Sequence, residues 1–205
     1  MNHTPHDCDV LIVGGGLVGS ALAVALSQLP IDIVQIETQD SAEFERPSFD
    51  ARVTALANGS RQILTGLGVW SDLEASAEAI TRIHISERGK FGVARLNADE
   101  EGVEALGYTI ENHVLGQGLR NSLDDSPRFK LLSPARFVAL TVHKDGVISD
   151  VERDGERLQI GSRVVVAADG ARSGVRSMLG LQADLDDYGQ TAVVFNCVPG
   201  VSLDG

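Results

Sequence analysis

Three glycines and a downstream carboxylate carry the strongest chemical signal in this sequence. Gly14, Gly16 and Gly19 follow one another in the G-x-G-x-x-G spacing, directly after the apolar residues 10–13. Gly14 permits a tight turn, Gly16 leaves room for a diphosphate against the backbone, and Gly19 lets a helix pack closely on the strand. The helix N-terminus offers unpaired N–H groups and a partial positive charge to phosphate oxygens. Glu37, 18 residues after Gly19, stands where an acid binds a ribose, and it favours a free ribose over a 2′-phosphate.

A β-α-β unit is needed to bring these groups together. Residues 10–13 are apolar and rich in β-branched side chains, which is typical of a strand buried on both faces. Residues 20–29 have helical character and end at Pro30, and residues 31–36 predict a second strand that Glu37 closes. Glycines in this spacing between a strand and a helix, with an acid after the next strand, indicate dinucleotide binding. The alternative is a glycine-rich turn in another kind of α/β protein.

A second carboxylate follows another buried strand. Residues 163–168 are apolar after Arg163, and Asp169 and Gly170 come directly after them. Ligands of open α/β sheets bind at the carboxyl edge of the strands, so Asp169 is a candidate ligand-binding residue. Equally, Asp169 could cap the turn that follows. The pattern alone leaves both interpretations open.

The composition argues against several classes of protein. The 205 residues are 43% hydrophobic, which is enough for one large or two small domains with a real core. The formal charge of −12 argues against nucleic acid and against electrostatic docking on anionic lipid. Cys8 and Cys197 lack metal-site spacing, so we expect two reduced thiols and no metal in a cytoplasmic protein. We assign His3 and His6 to a mobile polar terminus, and no apolar run is long enough to span a membrane.

The remaining elements are predicted from hydrophobic period and turn residues. A helix over residues 112–123 is predicted after an N-cap at Asn112, and its apolar stripe begins at Ile110. The other predicted elements are helices at 61–65 (N-cap Asn58 or Ser60) and 71–79, a hairpin of strands 81–86 and 91–96, and strands at 129–132, 135–143, 147–153, 157–160, 163–168 and 191–198.

Several stretches together match one family over nearly the whole chain. They are residues 13–19 with Glu37, 49–52 with 55–56 and 67–70, 85–89 with Gly92, 107–112, and 166–170 with Ser173 and Arg176. On these residues the sequence resembles the FAD-dependent aromatic hydroxylases of the p-hydroxybenzoate hydroxylase type. Within that family it is similar to the ubiquinone-biosynthesis branch, which includes the 2-octaprenyl-6-methoxyphenol hydroxylases.

The resemblance implies an FAD site and a role for its contacts. The FAD diphosphate would lie on Gly14, Gly16 and Gly19, and the adenosine ribose on Glu37. Arg52 would lie near the flavin diphosphate and the path of the nicotinamide cofactor. No catalytic acid or base is assigned. Asp169 would belong to a second fingerprint, which serves both FAD and NAD(P)H, and His113 is a further candidate beside Gln117. The implied cofactor contacts are Gly14, Gly16, Gly19, Glu37, Arg52, Gln117 and Asp169.

The implied fold is α/β. It is a Rossmann-like FAD-binding domain with a three-stranded β-meander, joined to the start of a β-rich substrate domain. We expect a disordered tail at 1–8, a discontinuous FAD-binding domain at 9–73 and 108–182, and a partial substrate-binding domain at 74–107 and 183–205. Full members of the family are about twice this length and carry a third fingerprint with a Gly-Asp pair, which does not occur in these 205 residues. We therefore interpret the chain as an N-terminal fragment; a complete but degenerate short protein is the alternative.

The implied activity is that of a flavoprotein monooxygenase. It would hydroxylate a polyprenylated phenol in ubiquinone biosynthesis with NAD(P)H and O₂, alongside other proteins of that pathway and without nucleic acid. The full-length protein would be cytoplasmic or peripheral at the inner membrane, and the fragment alone inactive. Two further hypotheses stay open: an NAD-linked oxidoreductase, and a non-catalytic nucleotide-binding module in a biosynthetic complex.

Overall fold

The computed structural model describes residues 7–40, 52–191, 193 and 200. Its strands are β1 (Cys8–Val13), β2 (Ile33–Ile36), β3 (Val53–Ala57), β4 (Glu78–Ile80), β5 (Arg82–Ser86), β6 (Val93–Asn97), β7 (Gly107–Glu111), β8 (Phe129–Leu132), β9 (Arg136–His143), β10 (Gly146–Arg153) and β11 (Glu156–Ala167). Its α-helices are α1 (Leu17–Ser27), α2 (Asn58–Gly66), α3 (Trp70–Leu73), α4 (Ala98–Glu101), α5 (Asn112–Asn121) and α6 (Gly174–Met178), with a 3₁₀ turn at Glu74–Ser76.

A six-stranded sheet with the order β8-β2-β1-β11-β10-β9 is the centre of the fold. Strands β8, β2, β1 and β11 are parallel, whereas β11, β10 and β9 form an antiparallel meander. The predicted α/β class with a Rossmann-like unit and a three-stranded meander is therefore confirmed. The β-α-β unit and the strand over residues 129–132 lie where the sequence predicts them.

The two faces of this sheet are covered by different parts of the chain. Successive strand side chains point to opposite faces, and neighbours in β1 accordingly enter two separate cores. Ile12 packs with Ala23 of α1 and Leu119 of α5. Leu11 packs with Val151 of β10 and other residues of the meander side. Both strand residues are fully buried, so β1 anchors the glycine loop that follows it between two cores.

The predicted strands at 157–160 and 163–168 are one strand, β11, so the prediction of two elements was wrong. The first part of β11 pairs antiparallel with β10, from Arg153↔Glu156 to Val147↔Ser162. Its later part pairs in parallel with β1, up to Val13↔Ala167. Polar residues in the middle of the segment suggested a break. The backbone continues instead because each part has its own partner strand.

A second, three-stranded sheet has the order β3-β7-β4 and was not predicted. Ile110 was placed on a helical stripe, but it lies in β7 and is buried at 1% exposure. The predicted helix at 71–79 is also shorter, because α3 and the 3₁₀ turn end at Ser76 and β4 follows. Apolar period alone does not separate a short buried strand from a helix.

Both predicted helix caps were wrong. The N-cap of α2 is Ala57 rather than Asn58 or Ser60. The N-cap of α5 is Glu111 rather than Asn112. The Asn112 carboxamide oxygen accepts a hydrogen bond from the Thr54 hydroxyl instead. This tertiary contact on β3 takes the side chain away from the cap position.

The β5–β6 hairpin is present close to its predicted bounds, as a separate two-stranded sheet.

Cys8 was assigned to the terminal tail, but it is the first residue of β1, where it pairs with β11. Its side chain is a buried free thiol. The predicted strand 191–198 and the predictions for Cys197, His3 and His6 lie outside the described residues, apart from 191 and 193. Among the described residues, no cluster of side chains is arranged to hold a metal ion. No described helix is long and apolar enough to cross a membrane.

Candidate cofactor site

The turn after β1 depends on a glycine at position 14. Gly14 has φ of +113°, which disfavours any side chain. An added Cβ would lie 2.3 Å from the Ala168 carbonyl oxygen at the end of β11. The Gly14 N–H donates to the Ile36 carbonyl at 2.8 Å, and the Ala168 N–H donates to the Val13 carbonyl at 2.8 Å. The turn is therefore held against the ends of both neighbouring strands.

Gly19 and Gly16 have different structural roles. A Cβ on Gly19 would lie 2.1 Å from the Gly14 carbonyl oxygen, so Gly19 lets α1 approach the strand as its spacing predicts. Gly16 is exposed, and a Cβ there would meet no protein atom within 4 Å. The fold itself therefore requires Gly19 but not Gly16. Gly16 is also the N-cap of α1 and has no side chain to cap the first N–H groups, which a bound anion can satisfy.

Glu37 is held over this loop by its backbone and its side chain. Its N–H donates to the Leu132 carbonyl at 3.0 Å, and its carbonyl accepts from the Ala135 N–H at 2.7 Å. The carboxylate oxygen Oε2 accepts from the Gly15 N–H at 2.6 Å. The other oxygen, Oε1, accepts from the Thr38 hydroxyl at 3.0 Å. The carboxylate is therefore fixed beside the glycine loop.

Two cavities open on either side of Glu37. One, of about 390 Å³, lies between the start of α1, α5 and β8. The other, of about 360 Å³, lies between the glycine loop, the start of β9 and α6. Each is within the range of small-molecule sites, about 300–1,000 Å³. The first is lined by residues that include Gly15, Gln35, Glu37, Gln117, Arg120 and Phe129, and the second by residues that include Gly14, Gly16, Glu37, Arg136, Phe137 and Asp169.

Asp169 holds the turn that follows β11 and also lies in the wall of one cavity. Its Oδ2 accepts from the Val175 N–H at 3.1 Å, so it holds the start of α6, and it also lines the second cavity. Burial raises the pKa of the Asp169 carboxyl, but hydrogen bonds from Ser173 and from the Val175 and Gly174 backbone outweigh this effect and leave the pKa below its ordinary value. Its Oδ1 is buried without a hydrogen-bond partner among the described residues. Asp169 is therefore a charged, partly satisfied acceptor at the sheet edge.

The predicted contacts on α5 and β3 lie in different positions relative to the cavities. Gln117 is exposed and lines the first cavity. The His113 Nδ1 lies 3.0 Å from Oε2 of Glu111, an interaction within the same segment. Arg52 is exposed and is not among the described residues that line either cavity. Its carbonyl accepts from the Asn112 N–H at 2.8 Å, so Arg52 is tied to the N-terminus of α5.

Sequence reasoning missed three residues that shape the loop. Gly15 donates to Glu37, and a Cβ on Gly15 would lie 2.8 Å from the Glu37 Cβ. The buried Gln35 donates its Nε2 to the Gly14 carbonyl at 3.0 Å. The Ser20 hydroxyl donates to the Gly15 carbonyl at 3.1 Å. A third consecutive glycine and a single polar residue within an apolar strand were the available signals.

The arrangement fits a dinucleotide by its donors, acceptors and space. Open N–H groups at the start of α1 suit the oxygens of a diphosphate. A carboxylate at the end of β2 suits the hydroxyls of a ribose. Gly16 leaves an open surface between them that the fold does not otherwise explain. These residues therefore fit FAD as well as they fit another adenine dinucleotide.

Comparison with known proteins separates these possibilities. The profile of the FAD binding domain family matches residues 7–202. The chain is 37% identical over 187 residues to ubiquinone hydroxylase UbiL of Rhodospirillum rubrum, covering 91% of this chain and 42% of that protein. It is 34% identical over 195 residues to 3-demethoxyubiquinol 3-hydroxylase of Escherichia coli, covering 94% of this chain and 49% of that protein. The chain thus spans less than half the length of these two relatives.

Solved structures agree with the sequence comparisons. The flavin-dependent monooxygenase PieE, in complex with FAD and substrate, matches with a TM-score of 0.69 and 25% identity over 86% of this chain and 33% of that one. The p-nitrophenol 4-monooxygenase PnpA of Pseudomonas putida matches in fold, with a TM-score of 0.71 and 20% identity over 84% of this chain and 43% of that one. The predicted resemblance and the predicted FAD cofactor are confirmed by these matches together with the family profile.

Proposed function

We propose that this chain, which belongs to the FAD binding domain family, forms the FAD-binding part of a monooxygenase. The intact protein would hydroxylate a polyprenylated phenol in ubiquinone biosynthesis, and a 2-octaprenyl-6-methoxyphenol is the substrate that the sequence motifs favour. Similarity to two ubiquinone-pathway hydroxylases supports the pathway. The family match over residues 7–202 carries the assignment to FAD, and the open Gly16 surface beside the fixed carboxylate of Glu37 supports binding of an adenine dinucleotide at this place.

The residues of this chain would bind and orient the cofactor. The start of α1, at Gly14, Gly16 and Gly19, would hold the diphosphate, and Glu37 would accept hydrogen bonds from the adenosine ribose. Glu37 already has acceptor contacts to Gly15 and Thr38, so ribose hydroxyls would share or replace them.

Three further contacts would act beyond the adenosine half. Gln117 would reach the cofactor from α5, and Asp169 would serve the FAD site and the approach of NAD(P)H. Arg52 would lie near the flavin diphosphate and the path of the nicotinamide cofactor. Asn112, which donates to the Arg52 carbonyl, would keep Arg52 and Gln117 in a fixed relation. His113 is a further candidate on the same helix.

FAD, when bound and reduced by NAD(P)H, supplies the redox chemistry by which O₂ hydroxylates an aromatic ring. The chain would contribute a dry, ordered site for that chemistry. We assign the FAD-binding domain to residues 9–73 and 108–182, and part of a substrate-binding domain to 74–107 and 183–205. Full activity would need the remaining length found in the relatives. The intact protein would work beside other ubiquinone-biosynthesis proteins, in the cytoplasm or peripherally at a membrane.

Titration of the 205-residue chain with FAD tests this proposal. We expect weak but saturable quenching of flavin fluorescence and no hydroxylation by the chain alone. Glu37→Ala removes the ribose acceptor and should weaken FAD binding about 10- to 150-fold, the equivalent of a hydrogen bond to a charged group. Glu100→Ala, at an exposed acid on α4, is the matched control and should leave the affinity unchanged.

Three outcomes would contradict the proposal in different ways. Tight binding of NAD with no uptake of flavin would point to an NAD-linked oxidoreductase. Binding of neither nucleotide by the folded chain, with capture of a biosynthetic partner, would point to a non-catalytic module. Equal FAD affinity in Glu37→Ala and Glu100→Ala would remove Glu37 from the site.

A further inference from the structure

The β5–β6 hairpin differs in charge from the rest of the molecule. Residues 82–97 carry one acidic side chain, Glu87, and four basic ones: Arg82, Arg88, Lys90 and Arg95. The hairpin therefore has a formal charge of +3 in a chain whose total is −12. The Lys90 ammonium contacts Glu87 at 2.9 Å, and the Arg95 Nε donates to the His84 Nδ1 at 3.2 Å. These contacts lie within the hairpin and leave its net charge unchanged.

The same hairpin exposes apolar side chains at and near its tip. Phe91 is fully exposed, and Ile85 and Val93 are each 58% exposed. Phe91 lies in the turn between Gly89 and Gly92, which both have positive φ. In the part of the chain that the structure describes, β5 and β6 pair with each other and with no third strand. We call the exposed turn, residues 87–92, the hairpin tip.

Apart from Glu87, which pairs with Lys90 at the tip itself, the acidic groups that follow the hairpin in sequence lie at its opposite end. Helix α4, with Asp99, Glu100 and Glu101 in its first turn, follows the base of β6. Four residue steps separate the base at Arg82↔Asn97 from the tip end of the ladder at Ser86↔Val93. At about 3.4 Å per residue, this is about 14 Å. The distance exceeds the Debye length of about 8 Å at physiological salt, so the charge at the tip is set by its own residues, Arg88 and Lys90 against Glu87, which give it a formal charge of +1.

We propose that the hairpin tip docks on an anionic lipid bilayer. Arg88 and Lys90 would contact lipid headgroups, and the Phe91 ring would enter the boundary between headgroups and acyl chains. A bilayer satisfies both features at once, because it offers negative charge at its surface and an apolar layer just below it. Whole-chain charge argued against contact with anionic lipid; the local distribution of charge supports it at this one surface. The surface needs no flavin, so it is independent of the proposed chemistry.

Vesicle binding by the 205-residue chain tests the proposal. We expect sedimentation with vesicles of phosphatidylcholine and phosphatidylglycerol, no sedimentation with phosphatidylcholine alone, and weaker binding as salt rises. The double variant Arg88→Ser, Lys90→Ser should bind about 30-fold more weakly, since each basic residue near an anionic surface contributes about 1 kcal/mol. Phe91→Ser should bind about tenfold more weakly. Two control variants, Lys144→Ser in the β9–β10 turn and Val142→Ser in β9, change an exposed basic residue and an exposed apolar residue away from the tip and should bind as the original chain does.

A spectroscopic variant gives a second, independent reading. Phe91→Trp keeps an aromatic ring at the tip, and its emission should shift to the blue on addition of anionic vesicles and be quenched by brominated lipid. Trp70, the native tryptophan, is 4% exposed and contributes a constant background.

Several results would overturn the proposal. They are equal binding to neutral and anionic vesicles, equal loss in the tip and control variants, no vesicle binding at all, or no emission shift in Phe91→Trp. A dimer of this chain that dissociates in the tip variants would assign the hairpin to a protein interface instead. FAD affinity should be the same in the tip variants and in the original chain, so failure here stays distinct from failure at the cofactor site.

Discussion

Gly16→Ala separates the needs of the fold from the needs of a ligand. The Gly16 backbone has φ of −70° and ψ of −179°, which alanine adopts without strain. The added methyl group meets no protein atom within 4 Å. Gly19→Ala is the contrasting variant, because its methyl group would lie 2.1 Å from the Gly14 carbonyl oxygen.

The two variants should differ in both stability and affinity. The Gly16→Ala variant gains about 0.4–1 kcal/mol in free energy of unfolding, because alanine leaves the unfolded chain fewer conformations. It loses a similar amount of stability because alanine is a poorer N-cap than glycine. Its melting temperature should therefore stay within about 3 °C of the original. Its methyl group would stand where the diphosphate passes, and crowding by one methyl group costs about 1–3 kcal/mol. FAD should therefore bind about 5- to 150-fold more weakly.

Gly19→Ala should instead destabilise the protein itself. Moving helix α1 away from the strand costs about 3 kcal/mol, or about 9 °C in melting temperature for a chain of this size. Thermal unfolding followed by circular dichroism measures the stability of both variants, and quenching of flavin fluorescence measures FAD binding. Gly59→Ala, at an exposed helical glycine with open space around it, controls for the general effect of the exchange.

One result would refute the reasoning. If folded Gly16→Ala binds FAD as tightly as the original chain, the diphosphate does not cross the surface at Gly16. The glycine spacing would then reflect packing alone. A large loss of stability in Gly16→Ala would contradict the open space around that residue.

Two titrating groups give further predictions. Burial, reinforced by nearby carboxylates, raises the pKa of the Cys8 thiol from 9.0 to about 11. Between these two pH values the unfolded chain has lost the thiol proton and the folded chain still holds it. The free energy of unfolding should therefore fall by about 3 kcal/mol between pH 9 and pH 11. Denaturant midpoints in a Cys197→Ser background measure this loss, and a Cys8→Ala variant with the same alkaline slope would contradict it. The Asp169 carboxyl has a lowered pKa, so its contribution is complete above about pH 4 and is lost as the pH falls through the lower, folded-state value. The difference in unfolding free energy between the original chain and Asp169→Asn should therefore shrink with acidity, and a difference independent of pH would refute the assignment.

Local patterns were sufficient to predict the β-α-β unit. Strand β1, helix α1 and strand β2 each show their own period, and the glycine spacing places the turn between the first two. Glu37 could be singled out because it closes β2 and needs no distant information. The site therefore emerged from sequence where its parts are neighbours along the chain.

Features that depend on distant partners were not predictable in the same way. Strand β3 pairs with β7 more than 50 residues later, at Val53↔Glu111, and neither strand shows an alternating pattern of its own. Asn112 looked like a cap because a sequence does not reveal its hydrogen bond with Thr54. The Gly15–Glu37 contact likewise needs the fold to bring the two groups together. The roles of Arg52, Gln117 and Asp169 toward FAD stay predictions.

Strand β11 also has a consequence for synthesis of the chain. Cys8 contacts the Gly161 carbonyl across 153 residues, so β1 lacks one neighbour until residue 161 has left the ribosome. At about 5–20 residues per second, this delay is about 8–30 s. Through that time the apolar residues 10–13 would present an unpaired edge, which favours association with other chains. A nascent chain of this protein therefore has reason to depend on chaperones until the meander is complete.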